Sequence, residues 1–141
     1  MSATLDVQYV VLELGAEKYA LRIYDIFEVI KMQKITEVPN SKPYILGVIN
    51  LRGKIVPIMS LRRRFGFTDA PVTKSTRIVV VQIREEIVGI VVDGVHKVTT
   101  FTDIQPPSEI VSGIDGNYIE GIGQTEEGLV SILNIHQVLF E

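Results

Sequence analysis

Cysteine is absent from the 141-residue chain, and histidine occurs only as His96 and His136. Without thiols, no disulfide framework, iron–sulfur cluster or thiolate zinc site can form, which fits a reducing compartment. Two isolated histidines make no metal site without carboxylates at a matching spacing, and the sequence places none. Also missing is any run of about 18 apolar residues, the length a spanning helix needs. The opening MSATLDVQYV has neither a basic n-region nor an apolar h-region. A soluble, cytoplasmic protein with no direct membrane insertion is the expectation. Positive charge is not in excess: 14 Lys and Arg against 17 Asp and Glu leave a net charge of −3. That is the wrong sign for affinity built on neutralising many phosphates. With 46% hydrophobic residues, the chain can bury one large core or two small ones.

What is present is a series of short Val- and Ile-rich runs bounded by turn residues: VQYVVLEL, KYALRI, ILGVINL, KIVPIM, RIVVVQI, IVGIVVDGV, YIEGI and GLVSIL. Their length and β-branched content predict strands. Gly15 to Lys18, Arg52 to Lys54, Arg84 to Glu86 and Gln124 to Gly128 fall between paired runs as hairpin turns. Helical signals are few. Ser60 can cap LRRRF, with Gly66 ending it, and Asn134 can cap IHQVLF. DIFEVI carries an apolar stripe at Ile26, Val29 and Ile30 if it turns helically, and is equally compatible with extended chain.

An ungapped offset of 74 lays YILGVINLRGKIVPIMSLRRRF (44–65) over YIEGIGQTEEGLVSILNIHQVL (118–139). Tyr44 then meets Tyr118, Gly47 meets Gly121, and the caps Ser60 and Asn134 coincide. Upstream, YVVLEL matches IVVVQI. The chain reads as two copies of one unit of about 70 residues, roughly 9–67 and 76–140, with room for strands to be exchanged near the termini. TDAPVTKST (68–76) is the linker, and QPPSEIVSGIDGN (105–117) a long loop in the second copy. Units of this size with about five short strands close best as barrels, which removes exposed edges.

Nothing in the inventory composes an active site. Ser60 and Ser131 lack a G-x-S-x-G elbow. Gly121-Ile122-Gly123 is half a dinucleotide fingerprint with no helix after it, and reads as a strand bend. Asp93-Gly94 reads as a turn, and His136 as a solvated helix residue. No catalytic residue, cofactor or metal is expected, so the chain is not read as an enzyme.

The remaining feature is NLRGKIVPIMSLRRRFG (50–66), with five cations. Arg62, Arg63 and Arg64 fall in the short closing helix and read as a solvated face favoured by the helix dipole. Arg52 and Lys54 occupy a hairpin tip, where a guanidinium fork can meet a partner's carboxylate. The matching tip in the second copy, Thr125-Glu126-Glu127, is acidic. Opposite tips suit directed protein contacts; the alternative is a small β-barrel nucleic-acid or anion-binding module using residues 52–64.

The segment ILGVINLRGKIVPIMSLRRRFG also resembles the signature of the CheW family, G-x-[IV]-N-L-R-G-x-[IV]-[IV]-P-[IV]-x-x-L. Similarity extends through VQYVVLELGAEKYALRIYDIFEVI, the I-T-E-V-P stretch at 35–39, GIVVDGVHKVTTFT at 89–102 and YIEGIG. The resemblance implies an all-β fold of two SH3-like five-stranded barrels in tandem pseudo-repeat with short helical segments, one domain over residues 1–141. It also implies a non-catalytic adaptor linking the regulatory domain of the histidine kinase CheA to the cytoplasmic tips of methyl-accepting chemoreceptors. Such an adaptor is recruited to membrane-bound receptor arrays and has no nucleic-acid partner. No phosphotransfer, ATP-binding or receiver domain fits in the remaining residues, so a free-standing adaptor is expected. Arg52 matches the arginine of N-L-R-G, and Glu28 a family glutamate; both are linked to coupling, with a weak surface ion pair as the plainer reading. Ile23, Ile26 and Val29 match apolar positions of a receptor groove between the barrels, with Val98 opposite, and barrel core as the plainer reading. Ser60 stands where many members have Asp, which keeps a helix cap.

Overall fold

The computed structural model describes residues 7–126 and 128–140. Eleven strands appear in them: β1 (Tyr9–Leu14), β2 (Glu17–Arg22), β3 (Ile26–Lys31), β4 (Ile45–Leu51), β5 (Lys54–Ser60), β6 (Arg77–Ile83), β7 (Glu86–Val92), β8 (Gly94–Thr99), β9 (Ile104–Gln105), β10 (Ile119–Thr125) and β11 (Gly128–Leu133). Three short helices accompany them: α1 (Leu61–Arg64), α2 (Glu109–Ser112) and α3 (Ile135–Phe140).

Two sheets result, in the orders β3-β6-β7-β5-β4 and β8-β1-β2-β11-β10-β9. The first is closed by the chain just after β3, where Thr36 and Val48 exchange backbone hydrogen bonds of 2.9 and 2.8 Å. The second is closed by β9, which pairs with β10 and follows β8 as its interrupted continuation. Each sheet is therefore a five-stranded barrel, as the all-β expectation requires. Closure demands a close backbone approach at one equivalent glycine in each copy. Gly47 has φ +147°, and a Cβ there would collide with the Thr36 carbonyl; a Cβ on Gly121 would meet Ile104 at 2.5 Å.

The barrels do not follow the sequence repeats strand for strand. Each copy gives its first hairpin to the other's sheet: β1–β2 pairs with β8 and β11, and β6–β7 with β3 and β5. The joins are parallel, β11 on β2 (Ile132 opposite Ala20) and β5 on β7 (Ile58 opposite Gly89). This placement explains why the donated strands read as unbroken apolar runs rather than alternating ones. On β6, Ile78 and Val80 fill the first barrel with Ile49, Val56 and Ile58, while Val79 and Val81 face a second core. That second core is shared by both barrels, and holds Val10, Leu12, Tyr19, Leu21, Ile90, Leu133, Val138 and Leu139. A strand buried on both faces has no polar face to show.

Both predicted caps form. Ser60 Oγ accepts from Arg63 N at 3.2 Å, and Asn134 Oδ1 from Gln137 N at 3.3 Å. The loop at 105–117 contains α2, a single turn that sequence periodicity is too short to reveal; Ser108 caps it and Gly113 ends it in the left-handed region. DIFEVI is not a helix: a 3-10 turn at Ile23–Asp25 runs directly into β3.

Candidate partner-binding surface

The β4–β5 turn is built from two residues in the left-handed region, Arg52 (φ +50°) and Gly53 (φ +86°). This is the turn whose twist matches a hairpin, and Asn50 Oδ1 fastens it by accepting from Gly53 N at 2.8 Å. The Arg52 side chain, 64% exposed, crosses to β3 and forms an ion pair with Glu28. The hydrogen bond and the charge of Glu28 both raise the guanidinium pKa. The two residues singled out for coupling are thus one unit, with the fork held in place before any partner arrives.

The groove candidates divide by depth. Ile23 and Ile26 are half-buried against the shared core, whereas Val29 and Val98 are 40% and 49% exposed. A β-bulge between Ile26 and Glu28 shifts the register of β3 by one, so Ile26 lies opposite Val81 and Val29 opposite Val79. Both partners face the shared core, so Ile26 and Val29 lie on one face through a bulge, not through a helical turn. Ile30 lies opposite Ile78 and packs into the first barrel, off that face. Val98 comes from the other barrel in the corresponding register, opposite Val10 of the shared core.

Arg62 and Arg64 depart from the solvated face expected of the closing helix, whereas Arg63 stays exposed. Arg62 grips Asp93 with bonds of 2.6 and 3.1 Å and donates to the Thr68 carbonyl at 2.9 Å. Asp93 also accepts from Gly15 N at 2.7 Å. These bonds, led by that from Arg62, hold its pKa below the usual aspartate range against the opposing effect of burial. Arg63 pairs with Asp69 through two bonds of 3.0 and 2.9 Å. Arg64 bonds to carbonyls of α3 and stacks on two tyrosines. Helix position alone misplaces Arg62 and Arg64, because an arginine's reach is set by tertiary neighbours, here 31 and 74 positions away. Of the five cations in the basic stretch, four are engaged within the chain, which disfavours a nucleic-acid or anion site.

Sequence reasoning passes over other exposed apolar groups: Tyr24 and Phe27 beside Glu28, and Ile55 and Leu129, 65% and 53% exposed. The last two are equivalent under the 74-residue offset, and strand alternation beside the buried Val56 and Val130 is the available signal. Charge is also divided between the barrels. Residues 26–67 and 76–92 contain ten Lys and Arg against four Asp and Glu; residues 9–25 and 93–140 contain three against ten. Of the acidic tip, Glu127 lies outside the described residues. Among the described residues no three His, Asp or Glu gather as a metal-binding group. Among the described residues, surface cavities of about 150, 160, 230 and 250 Å³ are present, each smaller than the roughly 300 Å³ at which small-molecule sites begin. No described helix is long and apolar enough to cross a membrane.

Two exchanged barrels with opposite charge, exposed apolar groups and a paired surface arginine suit a protein-docking scaffold. The family model described as CheW-like domain matches residues 8–141. The chain is 36% identical over 135 residues to the chemotaxis protein CheW of Helicobacter pylori, covering 94% of this chain and 81% of that one. It is 34% identical to the CheW of Bacillus subtilis, covering 92% and 85%. The crystal structure of the scaffolding protein TtCheW from Thermoanaerobacter tengcongensis superposes with a TM-score of 0.88 at 38% identity, covering 98% of this chain and 90% of that one. The chain belongs to the CheW-like domain family, and is a coupling adaptor of chemotaxis.

Proposed function

We propose that this adaptor works without catalysis, in the cytoplasm at receptor arrays, by joining the regulatory domain of the kinase CheA to chemoreceptor tips. The observation that carries the reading is the β3 edge with its neighbouring hairpin. Glu28, which holds Arg52, lies between the exposed Phe27 and Val29. A charged fork and apolar anchors on adjacent residues are what a directed protein contact uses: the anchors supply affinity and the charges supply orientation and rate. In this reading Arg52 and Glu28 serve a partner-facing contact, and Ile23, Ile26, Val29 and Val98 line the rim of the shared core where a receptor's helical hairpin lays its apolar stripe.

The test is a titration of the purified chain against the kinase regulatory domain and against a receptor signalling tip, each at low and moderate salt. Saturable binding of both is expected, with unrelated DNA left unbound. Binding of neither partner, together with DNA binding that falls steeply as salt rises, would overturn the reading.

A further inference from the structure

Arg64, the last residue of α1, is half-buried where the two barrels meet. Its Nε donates to the Val138 carbonyl at 2.7 Å and its Nη2 to the Gln137 carbonyl at 3.3 Å. These are carbonyls at the C-terminal end of α3, where a cation is favoured and acceptors lack helical partners. The guanidinium carbon also lies 4.6 Å from the Tyr44 ring centre and 5.1 Å from that of Tyr118. Tyr44 precedes β4 of the first barrel, and Tyr118 precedes β10 of the second. Under the 74-residue offset the two tyrosines are equivalent, and so are Arg64 and Val138. The arginine therefore bonds to its own counterpart position, with one tyrosine from each copy beside it. The backbone repeats this relation: Ser60 N donates to the Tyr44 carbonyl and Asn134 N to the Tyr118 carbonyl, both at 2.8 Å.

We infer that Arg64 is a positioning residue that pins the two barrels at one mutual orientation, and so fixes how surfaces on different barrels face one another. The shared core supplies attraction between the barrels and Asp93 ties them at a second point through Arg62 and Gly15, but apolar packing is weakly directional and a single further tie leaves a rotation that Arg64 closes off. A planar fork that satisfies two carbonyls while stacking on two rings admits few geometries. Lysine keeps the charge and loses both the fork and the stack. The pin does not depend on the partner assignments above.

The absence of cysteine allows spin labels to be placed at chosen sites only. Labels on Gln82→Cys of β6 and Gln124→Cys of β10, both exposed, report the distance between barrels by pulsed electron resonance. With Arg64 present a single narrow distribution is expected; Arg64→Met, and to a lesser degree Arg64→Lys, should broaden it about twofold through rigid-body rotation. An unchanged distribution in a folded Arg64→Met chain would overturn the inference. So would failure of even Arg64→Lys to fold, since the residue would then serve the whole fold. The same variants bear separately on the adaptor reading. A contact drawn from both barrels, as at Val29 and Val98, should weaken about fivefold or more, while one confined to a single barrel end should not. Broadening with neither contact affected would retain the pin and count against a groove spanning the barrels.

Discussion

Replacing Asp93 by Asn removes a charge at a point where both barrels are tied. Asp93 accepts from Arg62, on the helix after β5, and from Gly15 in the β1–β2 turn of the other barrel. The side chains of Arg62 and Asp93 are 19% and 27% exposed. Exposed pairs contribute about 0–1 kcal/mol, and breaking fully buried ones costs about 3–5. This pair lies between, so a loss of about 2 kcal/mol is expected, or a fall of roughly 6 °C in Tm for a chain of this size. The pH dependence follows from the lowered pKa of Asp93. Its contribution is present above the unfolded value of about 3.9 and is lost as pH falls through the depressed folded value. The gap between wild type and Asp93→Asn should therefore be widest near neutral pH and close in acid. Asp69, also lowered through Arg63, adds a slope of the same sign. Asp25 works oppositely: burial raises its pKa, so it costs stability when ionised and gives it back as pH falls through the folded value. Thermal melts of both chains from about pH 7 to pH 3 measure the effect. A variant melting with wild type at neutral pH, or a gap that does not narrow in acid, would refute the reasoning.

Charge reversal at Arg52 should leave the Tm unchanged within error, because the side chain is largely exposed, yet weaken coupling to kinase or receptor about tenfold in a binding titration; unchanged binding to both refutes it. Val29→Ser should alter stability by no more than about 0.5 kcal/mol and Ile26→Ser lower it by about 1–3, since only Ile26 packs against the shared core. A folded Val29→Ser chain that binds the receptor tip normally would remove Val29 from the groove. Gly47→Ala should cost more than about 2 kcal/mol, or prevent folding, because the added methyl strikes the Thr36 carbonyl that closes the first barrel. A melt equal to wild type would show that this closure is dispensable.

Much of the fold is legible in the sequence because its signals are local. Turn residues, β-branched runs and the caps at Ser60 and Asn134 act within a few positions, and the 74-residue offset places the repeats. The hairpin exchange is not legible in the same way. β1 and β6 are buried on both faces, so neither carries the alternation that would say which barrel it joins. At the candidate site, a helical reading of DIFEVI puts Ile26 and Val29 on one face and a regular extended reading puts them on opposite faces; the strand forms, and a bulge with no sequence signal of its own brings them to one side. Arg62 and Arg64 read from their helix alone look solvated, while their partners come from the opposite copy.

The two copies keep one backbone plan and invert its chemistry. Lys97 precedes Val98 on β8 as Glu28 precedes Val29 on β3, and Glu126 holds the tip position that Arg52 holds in the first barrel. The exposed Ile55 and Leu129 remain apolar in both. A partner surface shaped for one barrel end would therefore fit the other sterically but face like charges there. Discrimination between similar shapes rests on such repulsion as much as on attraction, and like charges brought together at a contact cost several kcal/mol. Two ends that share a form and oppose in sign give a symmetric scaffold a single direction.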